Sequence, residues 1–207
     1  MKTYKNQIFI LLFAVAVMFI NFQNATAQRT TATAANAVEE YTGTVISFNG
    51  PRTQTAFFTL RINSLTSDEQ ATANLATLRD KGQRELLDQI DNENVGSFSI
   101  GNNVARPINV VRESTIDGKR RIFAVFQRET SFAELRGGYR SVDYPFGVIE
   151  ILVDPQTGKG DGTFIAAARI RFDEDNKTNQ RTVEIENFGT YPAKLTRVTR
   201  RETRRRP

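Results

Sequence analysis

The chain has 207 residues, with 28 Lys and Arg against 23 Asp and Glu, and it contains neither histidine nor cysteine. That excludes Ser-His-Asp and Cys-His catalysis, imidazole and thiolate metal sites, and disulfides, so stability must come from packing. The formal charge of +5 sits at the two ends, with Lys2 and Lys5 ahead of an apolar run and five arginines in 200–207; the body between them is close to neutral and offers no broad basic face to nucleic acid.

Residues 8–20 are an unbroken apolar run, followed by a polar stretch and Ala25-Thr26-Ala27. As a helix the run reaches only about 20 Å, short of the roughly 30 Å hydrocarbon core, so a signal peptide cleaved before Gln28 is expected, with release to the periplasm or the exterior. No cysteine follows the cleavage site to carry a lipid. Residues 28–38 are small and polar and read as a flexible lead-in. One β-rich domain is expected over 39–199, followed by a basic tail at 200–207.

YTGTVISFNG (41–50) and TQTAFFTLRINSL (53–65) are β-branched and aromatic runs separated by Asn49-Gly50-Pro51, which predicts a hairpin. In its second strand Phe58, Leu60 and Ile62 share one face, and Phe57, Thr59 and Arg61 the other. The period then changes. Ser67 with Gln70 has capping-box spacing, and Leu75 and Leu78 recur at helical distance before Gly82. A second helix, QRELLDQID, carries Leu86, Leu87 and Ile90. This helical insertion, 67–91, is expected to lie on one face or end of the sheet, with Leu75, Leu78, Leu86 and Ile90 buried and Gln83 dispensable.

VGSFSI (95–100), ARPINVVRES and KRRIFAVFQRE resume the strand pattern, the last two joined by Asp117-Gly118, a hairpin marker. Pro107 places its strand at an edge or delays its start. In 143–172, Phe146, Val148 and Leu152 alternate with Ile149, Ile151 and Val153, so the strand should be buried on both faces. Its partner puts Phe164, Ala166, Ala168, Ile170 and Phe172 on one face and Arg169 and Arg171 on the other. RTVEIENF (181–188), a break at 189–192 and AKLTRV (193–198) complete the chain. Nine or ten strands without a repeat or βα alternation predict a mainly β fold, an antiparallel barrel or sandwich with a helical hairpin after the second strand; α+β is the alternative.

Signal, first hairpin, helical pair and DYPFGVIE strand together resemble the layout of exported bacterial β-rich proteins. That likeness spans most of the chain and implies architecture but no function. The size and strand number also resemble a lipocalin-type barrel, although the early Gly-x-Trp of that family has no counterpart in a chain without Trp.

The stretch 129–146 gathers Arg136, Tyr139, Arg140, Asp143 and Tyr144 around Gly137-Gly138. Arg and Tyr are the residue types that most often carry interface energy, so these five are the expected binding residues. The competing reading is a plain loop in which Arg136 or Arg140 pairs with Asp143 and Tyr144 packs on Pro145. Asp173, Asp175 and Glu184 match three places of a calcium loop, but Lys177 and Thr178 break the pattern, and no metal or cofactor is expected. GKGDG (158–162) lacks phosphate-loop spacing and lies between strands. Asp143, Glu150, Asp154 and Asp161 form no catalytic motif, so no catalytic residue is assigned.

The expected function is that of an exported, non-catalytic β-domain, monomeric, that binds a small apolar molecule, an envelope component or a protein partner. The alternatives are a His-independent hydrolase or lyase using carboxylates and Tyr, and a structural envelope protein without a ligand. Convergent carboxylates in a pocket would favour the enzyme, an apolar cavity a carrier, and a filled core a structural role. The basic tail would make at most weak contact with anionic surfaces, about 1 kcal/mol per arginine.

Overall fold

The computed structural model describes residues 38–49, 52–128, 140–175, 180–188 and 191–201. Residues 1–37, with the expected signal peptide and lead-in, and residues 202–207 lie outside them. In chain order the elements are β1 (Glu39–Asn49), β2 (Arg52–Ile62), α1 (Asp68–Lys81), α2 (Gln83–Ile90), β3 (Gly96–Ile100), β4 (Arg106–Ile108), β5 (Val110–Ile116), β6 (Lys119–Gln127), β7 (Phe146–Val153), β8 (Lys159–Asp175), β9 (Gln180–Asn187) and β10 (Ala193–Arg201). The strands are the residues rich in Val, Ile, Thr and Phe whose branched or planar side chains fit a pleated surface. Asp117 and Gly118, with φ of 51° and 74°, make the tight β5–β6 turn that their sequence predicts.

All ten strands pair antiparallel in the order β4-β3-β2-β1-β10-β8-β7-β6-β5, with β9 added to β8. The ends of that path, β4 and β5, are adjacent in sequence with only Asn109 between them. One interrupted strand therefore joins β3 on one side to β6 on the other, and the sheet wraps into a nearly closed barrel. Asn109, 2 % exposed, fastens this seam. Its amide N–H donates to Val125 O at 3.0 Å, and its side-chain oxygen accepts from Gln127 N–H at 2.9 Å. Its Nδ2 donates to Ile90 O and Glu93 O, each at 2.9 Å, tying the end of α2 to the wall. Pro107 pairs with Ser97 in the short β4, beside this seam.

A second interrupted strand lies opposite. Ala168 pairs with Phe146 on one edge and Asn187 on the other, so β9 and β10 share the β8 edge that β7 leaves free. β9 takes residues 168–175 and β10 takes residues 159–164.

The two faces of β7 serve two cores, as its apolar pattern on both sides, interrupted only by Glu150, requires. Ile149, Ile151 and Val153 point into the barrel with Tyr41, Phe58, Phe98 and Phe126, whereas Phe146 and Val148 lie outside under Leu78, Leu86 and Ile90 of the helices. Gly147 lets this strand approach Phe126: a Cβ there would overlap three carbons of the Phe126 ring. The helix start is as predicted, with Ser67 Oγ accepting from Gln70 N–H and Gln70 Oε1 from Ser67 N–H.

Three expectations are corrected, and a bulge in β10 goes beyond them. Leu75 is 48 % exposed, because α1 meets the sheet through Leu78, its one buried residue, and the turn before overhangs solvent. Gln83, expected to make no contacts that matter, is engaged: its Nε2 donates to Asp143 O at 3.0 Å and its Oε1 accepts from Ile170 N–H at 3.3 Å. Phe164 does not share a face with Ala168, Ile170 and Phe172. Between the pairs Val148–Ile165 and Phe146–Ala168, β8 carries one residue more than β7, and this bulge reverses the strand's parity. Phe164 thus packs against the barrel interior, and Ala168 and Ile170 pack beneath the helices. Finally, β10 buries both Leu195 and Val198, three apart, because Arg197 at φ 53° forms a second bulge.

Candidate functional site

The short 3-10 turn Arg140–Asp143 leads into β7. The Asp143 carboxylate lies 3.1 Å from Arg169 Nη2, and its carbonyl accepts from Arg169 Nε at 3.3 Å. Tyr144 is 3 % exposed. The Arg169 guanidinium sits 4.7 Å above its ring, Phe188 packs against it at 5.0 Å, and its hydroxyl donates to Glu186 at 2.5 Å. Arg171 also donates to Glu186. The Tyr144 hydrogen bond first, and then Arg171, hold the Glu186 carboxyl below its usual range. Arg128 secures the turn by donating to Tyr144 O at 3.1 Å and Ser141 O at 2.8 Å.

Of the five residues expected to bind, the structure thus brings Asp143 and Tyr144 together with Arg169, Arg171 and Glu186 of the β8–β9 hairpin. Asp143 pairs with an arginine of β8. Tyr144 presents its edge to Glu186 and not to solvent. Arg136, Tyr139 and the Arg140 side chain lie outside the described residues.

Beside this cluster the barrel has an open mouth. The last β1–β10 pair is Ile46–Lys194, so Ser47 and Phe48 have no β10 partner, and β10 leaves β8 at the pair Ala193–Phe164. Where the interrupted β9–β10 strand departs from the wall, a cleft of about 690 Å³ opens between β1, β2, the tip of β3 and the β8 bulge. Its floor includes Phe164, backed by Phe98 at 5.2 Å and Phe126 at 6.3 Å between ring centroids. Phe48, Phe188 and Tyr191 form an exposed aromatic rim, with Tyr191 75 % exposed. Ser47, Gln54, Thr55 and Asn187 supply the polar groups, and among the described residues no charged side chain lines the cleft.

No protein-family model, curated protein or solved structure matches this chain.

What the mouth can do therefore follows from its own chemistry. Among the described residues its lining holds no carboxylate to act as general acid or base. Three of the four carboxylates weighed from the sequence are engaged elsewhere: Glu150 is ion-paired with Arg121, Asp143 with Arg169, and Asp154 accepts from the backbone N–H groups of Gln156 and Thr157, while Asp161 lies exposed on β8 outside the cleft lining. Among the described residues no group of three acidic side chains is placed to hold a metal ion. What the described lining offers is an apolar, partly aromatic surface with neutral donors and acceptors, which can desolvate and orient a ligand.

The other end of the barrel is closed by charge. Arg120 reaches Glu113 with Nε and Nη2 at 2.6 and 2.7 Å, and its Nη1 donates to Glu39 at 2.8 Å and to the Tyr41 hydroxyl at 2.9 Å. Tyr41 in turn donates to Glu39 at 2.9 Å. Burial, and then Glu39, push the Tyr41 hydroxyl well above its ordinary pKa, while Glu113 raises that of Arg120, so both keep their protons. Sequence reasoning missed this plug, and it missed the mouth, because the residues of each come from strands far apart in the chain.

Proposed function

We propose that this protein is an exported, non-catalytic β-barrel that binds a small apolar molecule at its open mouth. The observation that carries the reading is the cleft of about 690 Å³, without a charged side chain among its described lining residues, floored by Phe164 and rimmed by Phe48, Phe188 and Tyr191. The volume falls within the roughly 300–1,000 Å³ of ordinary ligand sites. The exposed rim would also serve an envelope component or a protein partner that offers one apolar group. The basic tail would add only weak, salt-sensitive contact with anionic surfaces.

The test uses the uncharged fluorophore N-phenyl-1-naphthylamine, titrated into residues 28–207. The expected result is saturable enhancement at about one site per chain. Tyr191→Ala should weaken binding, and Ala166→Trp, at an exposed lining position, should reduce it by narrowing the cleft. No saturable binding, or binding indifferent to both changes, would refute the reading.

A further inference from the structure

We infer that the mouth selects an uncharged amphiphile, an apolar body with an alcohol, ester or amide head, against the carboxylate of the same chain length. The inference rests on the proposed small-molecule role and narrows it to a ligand class. Amides at Gln54 and Asn187 and hydroxyls at Ser47 and Thr55 line the cleft. Each can donate or accept, which suits a neutral head group.

A carboxylate entering the same place loses water and needs a cation or several directed N–H groups in exchange, and among the described residues the lining has no Lys or Arg. The arginines of the neighbouring cluster are already engaged. Arg169 holds Asp143 and covers the Tyr144 ring, and Arg171 donates to Glu186. Glu186, the residue immediately before Asn187, is itself held by Tyr144 and Arg171, so the charges flanking this wall are paired with one another. The floor also limits how the ligand lies. Phe164 is backed by Phe98 and Phe126, whose rings fill the barrel beneath it. The apolar body therefore rests along the aromatic wall, which keeps the head among the polar groups of β1, β2 and β9.

The experiment displaces N-phenyl-1-naphthylamine from residues 28–207 with decan-1-ol or with decanoate, at pH 8 and below the aggregation limit of each. The alcohol should displace the probe at a concentration at least about tenfold lower. Gln54→Arg, at an exposed position that should leave folding unchanged, supplies the missing cation and should erase or reverse the preference. Equal or better displacement by decanoate from the unaltered protein would overturn the inference and leave the small-molecule role standing. So would a preference unmoved by Gln54→Arg, since the head group would then lie elsewhere. If the probe itself does not bind, the proposed role fails and takes the inference with it.

Discussion

Replacing Asn109 by alanine should be among the most damaging single changes outside the apolar core. The side chain makes three hydrogen bonds, to Ile90 O, Glu93 O and Gln127 N–H, and joins the barrel seam to the end of α2. Each is worth about 1 kcal/mol net, and truncation leaves Glu93 O and Gln127 N–H without this partner while Ile90 O keeps the Glu93 N–H at 3.0 Å, so uncompensated loss would approach roughly 5 kcal/mol. A cavity of about 90 Å³ lined by Asn109, Glu93 and Thr66 adjoins the site and gives water access to the exposed carbonyls. The expected cost is then about 3 kcal/mol, a large fraction of the 5–15 kcal/mol typical of a domain. Urea unfolding of residues 28–207 followed by circular dichroism measures it. With a slope of about 2 kcal/mol per molar, the midpoint should fall by about 1.5 M with the slope unchanged. Asn109→Asp keeps the acceptor for Gln127 but turns an anionic oxygen toward two carbonyls, which raises its folded pKa. Its stability should therefore be lost as pH rises above the unfolded value near about 4 and regained relative to the parent as pH falls. A midpoint shift below about 0.5 M for Asn109→Ala would show that the seam does not depend on this side chain.

Gly147→Ala drives a methyl group into the Phe126 ring and should cost about 1–3 kcal/mol; Phe126→Leu in the same chain should recover part of it, and simple additivity in the double-mutant cycle would refute the overlap. Leu86→Ala empties a buried helix position and should cost about 2–5 kcal/mol, whereas Gln83→Ala, which loses two hydrogen bonds to the sheet and turn, should cost about 1–2 kcal/mol; an unchanged melting temperature for both would mean that the helices do not dock. Tyr144→Phe removes the main cause of the lowered Glu186 pKa. That carboxylate stabilises the fold above its unfolded value near about 4.3 and ceases to do so as pH falls through its lower folded value, so parent and variant should differ by a constant amount from about pH 6 to 8 and converge at about pH 4 or below, as unfolding curves at each pH would reveal.

Local order was legible in the chain. The capping box at Ser67 and Gln70, the Asp117-Gly118 turn, the two-sided burial of β7 and the inward set Phe58, Leu60 and Ile62 all follow from contacts within a few residues or from side-chain period. Tertiary structure decided the rest. The β8 and β10 bulges reverse parity where a uniform alternation would continue, because an inserted residue is visible only against the partner strand it slips past. Asn109 looked like any polar residue between two strands, and its role exists only because the ends of the sheet meet there. The Arg120–Glu39–Glu113 plug and the uncharged mouth are likewise assembled from strands brought together by barrel closure. Sequence spacing encodes which face a side chain takes along its own strand; which distant strand stands opposite is set by closure of the sheet, and both ends of this barrel depend on that second choice.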